Sequence, residues 1–163
     1  EVVPNMRGYT ILVDYAHTPD SLENIIRACK TYTKGDLICV FGCGGDRDRA
    51  KRPMMGEIAG KLANYTVITT DNPRTEQPEA IIKEIEEGIK NTKGKYKIVV
   101  NRAKAIEHAL RRAKKNDLVL IAGKGHETYQ EVNGVKHHFD DKEVINQVLK
   151  KLPEVKDDDL YLW

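Results

Sequence analysis

Along this chain the spacing of apolar residues switches repeatedly between two residues and about three and a half. Runs of β-branched and other apolar residues predict strands over residues 9–14, 37–41, 65–70, 97–100 and 118–122. Several of these runs are apolar at consecutive positions, the pattern of strands covered on both faces. Between them, Leu22, Ile25, Ile26 and Cys29 fall on one helical face, as do Ile81, Ile82, Ile85 and Ile89, and then Ile106, Ala109, Leu110 and Ala113. Residues 47–62 predict a further helix, entered near Pro53, because proline is tolerated only in a helix's first turn.

Strand–helix alternation of this kind predicts a mostly parallel, Rossmann-like three-layer α/β sandwich with helices on both faces of the sheet. The pattern changes after the fifth strand. Asn133-Gly134 sits between two short extended pieces and predicts a hairpin, expected to add one antiparallel edge strand and bring the sheet to about six. Asp140-Asp141 should then cap a last helix whose inner face is Val144, Ile145, Val148 and Leu149. Without repeats or a second core, one domain is expected over residues 1–152. An acidic, loosely attached tail follows over 153–163.

Composition narrows the class. A chain of 163 residues with 40% hydrophobic and 32% charged residues can bury a core and is not a disordered protein. The formal net charge of +2, with both signs interspersed, argues against an obligate nucleic-acid partner. Cys29, Cys39 and Cys43 include no CxxC pair and read as reduced thiols, two of them in the core. No apolar run approaches the ~18 residues of a membrane span and no signal-peptide pattern opens the chain, so a cytoplasmic protein without a membrane partner is expected.

In an open α/β sheet, ligands bind beyond the carboxyl ends of the strands. Polar residues and glycines concentrate at those ends here: Asp14 to His17, Gly42 to Arg47, Asp71 to Arg74, and Gly123 to Glu127. Loops at the other edge are ordinary Lys/Gly/Asn/Asp turns. The Gly42 loop reads equally as a phosphate cradle or as a tight turn with an acidic cap. Asp71-Asn-Pro-Arg74 reads as a turn, or as a site in which Arg74 offers its guanidinium to a carboxylate. Asp14 and His17 read as a nucleotide contact, or as neighbours of a helix cap at Thr18 or Asp20. Together, Arg47 and Arg74 could hold the carboxylate of an amino-acid head and Glu127 its ammonium. Metal-ligand spacing is absent, and no nucleophile has an evident base.

Five motifs, Asp14-Tyr-Ala-His-Thr-Pro, Gly42-Cys-Gly-Gly-Asp-Arg-Asp, Lys51-Arg-Pro-Met-Met-Gly, Asp71-Asn-Pro-Arg and Gly123-Lys-Gly-His-Glu-Thr-Tyr-Gln, stand in an order and spacing that resembles the C-terminal domain of the Mur ligases. Within them the likeness is to the members that add meso-diaminopimelate. It covers roughly residues 10 to 150. The resemblance implies an ATP-dependent C–N ligase of peptidoglycan synthesis. ATP phosphorylates the terminal carboxylate of UDP-MurNAc-L-Ala-D-Glu, and the amine of the incoming amino acid attacks the acyl phosphate. It further implies that Arg47, Asp71, Asn72, Pro73, Arg74, Gly123 and Glu127 hold the distal head of meso-diaminopimelate, and that Asp14 and His17 lie near ATP.

By the same resemblance, ATP and Mg2+ are bound mainly by a central domain that precedes this stretch. The chain is then a fragment of a three-domain ligase, folded but inactive alone, whose partners are its remaining domains. Lysine-adding and folylpolyglutamate-type ligases are the near alternatives, against which Arg74 and the Gly123 motif speak. A non-catalytic nucleotide-binding module and a nucleic-acid binder built on Arg47, Arg49, Lys51 and Arg52 are the alternatives from other classes.

Overall fold

A computed structural model of the chain describes residues 1–155, so most of the anticipated tail lies outside the described residues. In chain order the elements are β1 (Thr10–Asp14), α1 (Pro19–Lys30), β2 (Leu37–Phe41), α2 (Lys51–Leu62), β3 (Tyr65–Ile68), α3 (Pro78–Ile89), β4 (Lys95–Ile98), α4 (Arg102–Arg112), β5 (Leu118–Ala122), β6 (Tyr129–Val132), β7 (Val135–His138) and α5 (Asp141–Lys151). The five strands β1 to β5 form one sheet in the order β1-β5-β2-β3-β4, and every pairing in it is parallel.

Alternation along each strand divides the core in two. Leu37, Cys39 and Phe41 of β2 face Leu22 and Ile26 of α1, Met55 of α2 and Ile85 of α3, while Ile38 and Val40 face Ile106 and Leu110 of α4 and Ile145 of α5. Both faces are covered, which is why β2 and β5 are buried at all five positions and read as unbroken apolar runs. Each fully buried side chain of this size contributes about 1.5–3 kcal/mol. The helices begin where their sequences allow. Thr18 caps α1 through a capping box with Ser21, Asn101 caps α4, and Asp140 caps α5 through the N–H groups of Lys142 and Glu143.

Three expectations need correction. The hairpin is present, with Asn133 and Gly134 both at positive φ as a tight two-residue turn requires, but β6 and β7 form their own two-stranded sheet. The antiparallel neighbour of β1 is instead the first residues of the chain: Val3 N–H donates to Ile11 O (2.8 Å) and Val13 N–H to Glu1 O (2.9 Å). The main sheet therefore has five strands rather than six. The fourth strand lies at residues 95–98, with Lys95 and Lys97 outward, as suits an exposed sheet edge. Residues 46–50 are loop, and α2 begins only at Lys51, with Pro53 inside its first turn.

Candidate functional site

The carboxyl ends of β1, β2, β3 and β5 open on one cavity of about 600 Å³. Tyr15 and His17 line it from the end of β1, Gly44 and Arg47 from β2, Asp71, Asn72 and Arg74 from β3, and Gly123 and Glu127 from β5. Lys51 and Met54 of α2 close one side. The end of β4 takes no part.

Glycines let the loop after β2 press against the loop after β3. A Cβ on Gly42 would lie 2.2 Å from Thr69 O, and one on Gly45 would lie 1.9 Å from Pro73 O. Gly45 N–H donates to Asn72 O (2.8 Å), and Asp46 N–H donates to Glu76 Oε2 (2.7 Å). Two of the amides that a phosphate cradle would use are thus committed within the protein, which favours the tight-turn reading of this loop. Asp46 is not a helix cap. Its carboxylate accepts from Thr75 N–H (3.2 Å) and pairs with Thr75 Oγ1 (2.6 Å), and these bonds hold its pKa below the ordinary carboxylate value. Gly44 turns its open face to the arginines: a Cβ there would sit 2.9 Å from Arg74 Nη1 and 3.6 Å from Arg47 Cγ. The two side chains therefore flank one bare backbone edge.

Arg74 is held tightly. Its φ of 50° is a left-handed conformation that costs a non-glycine residue on the order of 1 kcal/mol or more. The hairpin stabilises it: Arg74 N–H donates to Glu131 O (3.0 Å) and Asn133 N–H donates to Arg74 O (2.9 Å). Arg74 Nε donates to Glu131 Oε2 (3.3 Å) and Nη1 to Gly45 O (2.9 Å), while Nη2 has no hydrogen bond among the described residues. Gln130 adds a bond from Nε2 to Asp71 O (2.7 Å). The hairpin is thus a brace for the 71–74 loop. Arg47, by contrast, is exposed, and among the described residues its Nη1 bonds only to the adjacent Asp46 O (2.9 Å).

Beneath this surface lie three buried cations. Arg52 is fully buried and donates to Glu76, Glu84 and Gly44 O. Glu76 is accordingly held down at about 2, chiefly by the hydrogen bonds from Arg52. Arg49, itself exposed, also pairs with Glu84, so two members of the basic cluster have their charge matched by α3, and Arg52 is withdrawn from solvent altogether. Arg102 of α4 pairs with Asp141 of α5 at 2.8 and 3.0 Å and also donates to Thr70 O and Ala122 O. Those carbonyls immediately precede Asp71 and Gly123, so one guanidinium anchors both loops. Lys124 is fully buried, its Nζ 2.8 Å from Asn72 Oδ1, 3.4 Å from Glu127 Oε1 and 3.5 Å from Asp71 Oδ1.

Of the residues named from sequence, Arg47, Asp71, Asn72, Arg74, Gly123, Glu127 and His17 share the cavity. Pro73 does not line it; its carbonyl packs on Gly45 and accepts Glu76 N–H (3.0 Å). Asp14 also stands outside. Its carboxylate closes its own turn by accepting Ala16 N–H (2.8 Å), and it borders a smaller hollow with Glu1, Gly125 and His126. Tyr15 lies on the rim, its hydroxyl pKa raised first by the Glu127 charge. Sequence reasoning missed Lys124, Gln130 and Glu131. Lys124 and Gln130 stood within a quoted motif, but a lysine between two glycines reads as exposed.

The sequence model of the family described as Mur ligase, glutamate ligase domain, matches residues 1–125. A UDP-N-acetylmuramoyl-L-alanyl-D-glutamate–2,6-diaminopimelate ligase of Clostridioides difficile is 57% identical over 152 residues, covering 93% of this chain and 31% of that protein. The protein of the same name in Bacillus cereus is 49% identical, over 91% of this chain and 30% of its own length. A solved structure titled as that ligase superposes with a TM-score of 0.87 at 42% identity, covering 93% of this chain and 31% of the other. The chain therefore spans about a third of the relatives it matches.

Proposed function

The chain belongs to the Mur ligase family through its glutamate ligase domain, and on that premise we propose that it is the amino-acid-binding part of an ATP-dependent ligase joining meso-diaminopimelate to UDP-MurNAc-L-Ala-D-Glu. One observation carries the reading: two guanidinium groups from separate strand-end loops line a single cavity with the carboxylate of Glu127. Arg47 and Arg74 receive the distal carboxylate, Arg74 with donors already oriented by Glu131 and Gly45. Glu127 receives the distal ammonium. Asn72 and Asp71 set the floor, Pro73 fixes the loop, and Gly123, at φ 116°, leaves room beside Asp71.

The contribution to catalysis is positioning. Held by its distal head, the amino acid presents its other amine to the acyl phosphate, gaining rate through orientation and through exclusion of water as the domains close. Lysine has no distal carboxylate to meet the remaining donors of the two arginines, a loss of about 2–3 kcal/mol.

ATP and Mg2+ are substrates of the whole ligase in this reading. Among the described residues no group of three or more His, Cys, Asp or Glu is placed to hold a metal ion by itself, and the Gly45 and Asp46 amides are engaged, so these residues supply no complete site for either. Both are assigned to the central domain, and the isolated chain is expected to bind the amino acid without turnover. His17, on the cavity rim, is the residue nearest to that nucleotide role, and Asp14 supports its turn. The described residues include no helix long and apolar enough to cross a membrane, and we assign the reaction to the cytoplasm. Phosphate release by the full-length ligase tests the proposal. It should require meso-diaminopimelate; equal turnover with lysine at the same concentration would sink it.

A further inference from the structure

The geometry points to Lys124 as a specificity-determining, positioning residue: it sets Asn72 as a donor and Glu127 as an acceptor toward the ligand. This inference rests on the function proposed above. Lys124 is the one fully buried lysine among the described residues, yet it comes from a loop lining an open cavity. Its ammonium has three donors and three oxygen neighbours, Asn72 Oδ1, Glu127 Oε1 and Asp71 Oδ1, all on residues of the proposed site.

Asn72 shows what this does. Its Oδ1 accepts from both Lys124 Nζ (2.8 Å) and Glu131 N–H (3.0 Å), and two donors on one atom leave no doubt which end of the amide is oxygen. The oxygen is therefore turned inward and taken. Nδ2 makes no hydrogen bond among the described residues, so Asn72 can only donate outward, as a carboxylate demands. Glu127 is treated in the complementary way. Oε1 is drawn to Lys124, and the rest of the carboxylate faces the cavity beside Tyr15, whose hydroxyl pKa it raises, leaving one acceptor edge for an ammonium. Lys124 also balances Asp71 and Glu127, two carboxylates that would otherwise face each other across a buried lysine-sized gap. A site of adjacent acid and amide groups thereby gains one donating and one accepting side, the pattern of an amino-acid head.

The test uses the full-length ligase with meso-diaminopimelate and with 2-aminopimelate, which lacks the distal amine. Lys124→Met keeps the length and removes the charge. It should raise KM for meso-diaminopimelate on the order of tenfold to a hundredfold, the range for losing a hydrogen bond to a charged group, and leave KM for ATP near wild type. The wild-type preference for meso-diaminopimelate over 2-aminopimelate should shrink on the order of tenfold, because recognition of the ammonium is what is lost. A merely structural role would raise both KM values together and keep the ratio; that result overturns the inference. If wild-type enzyme shows no preference between the two compounds, the proposed function fails first, and visibly so. Should Lys124→Met not fold, wild-type protein labelled with [15N]lysine decides. The slowly exchanging buried ammonium signal should shift with meso-diaminopimelate and much less with 2-aminopimelate, and an unmoved signal in the saturated complex overturns the inference.

Discussion

Each end of the five-stranded sheet buries an aspartate, and the two are satisfied by opposite means. At the amino end, Asp117 accepts the backbone N–H groups of Asp36 and Lys114, both at 2.8 Å, and Gly35 is packed directly against it. At the carboxyl end, no backbone amide among the described residues donates to the side chain of Asp71. Its nearest cation is the Lys124 ammonium at 3.5 Å, and one side of it meets the cavity. An acid closed by amides fixes a turn and has nothing left to offer. An acid balanced by a shared lysine keeps acceptor capacity and stays electrostatically responsive to a ligand. The contrast separates polar burial that serves the fold from polar burial that serves a site.

The largest test of that contrast lies below the carboxyl end. Arg102 and Asp141 are both fully inaccessible, and Arg102 also holds the carbonyls that precede the two site loops. Arg102→Met leaves Asp141 buried and uncompensated, so a loss of about 3–5 kcal/mol is expected, or roughly 10–15 °C in Tm for a chain of this size. Calorimetry of the chain measures it. A melt within a degree or two of wild type would mean that the pair only offsets its own desolvation and that the site loops are held by other means.

Arg74→Ala should act on binding instead of folding. The side chain is partly exposed and its bond to Glu131 is long at 3.3 Å, so stability should change by less than about 1 kcal/mol. In the full-length ligase KM for meso-diaminopimelate should rise by about 2–3 kcal/mol in free-energy terms, roughly thirty- to a hundred-and-fifty-fold, with KM for ATP close to wild type. Unchanged values for both would remove the arginine pair from the specificity argument.

Asp117→Ala makes the reverse case. Two backbone amides lose their acceptor, so stability should fall by about 1–3 kcal/mol, while KM for meso-diaminopimelate stays within about twofold once the protein is folded. A large rise in that KM would show the two ends to be coupled through the sheet, and the division drawn here would fail.

Sequence carried the class of fold and the strand ends at which the candidate cavity opens, because both follow from short-range regularities. Short unbroken apolar runs at residues 37–41 and 118–122, each followed by glycines, fit strands covered twice, and glycines with charged residues gathered at one set of strand ends mark the open edge. The destination of the hairpin was not legible. Asn133-Gly134 specifies a tight turn and says nothing about which surface the paired strands will meet, so its docking on Arg74 through backbone bonds went unforeseen. Lys124 was hidden for a related reason. Whether a lysine snorkels to solvent or turns inward depends on oxygen atoms fifty residues away, and Asn72 and Asp71 come within reach only once β3 and β5 are placed. Pro73 and Asp14, named from motif membership, stand in the turns that shape the cavity and not in its lining.

The smallest effect belongs to the amino end and concerns pH. His108 on α4 meets the Tyr65 hydroxyl at 2.9 Å, and its pKa is lowered from the ordinary 6.5, first by burial and then by the nearby charges of Lys97 and Arg112. A histidine whose folded pKa lies below its unfolded one takes its proton first in the unfolded chain. Its share of stability is therefore intact above pH 6.5 and is lost as pH falls from there through the folded value. His138 titrates with the opposite sign, raised by Glu143 on the surface, so the raw pH profile mixes the two. Comparing wild type with His108→Gln, by chemical denaturation between about pH 7 and pH 5, isolates the first. The glutamine variant should lose less stability on acidification, and KM for meso-diaminopimelate should not differ between the two proteins at either pH. Identical slopes would show that His108 is as free to ionise in the fold as in the unfolded chain. A shifted KM would carry the effect across the sheet, where the geometry gives it no route.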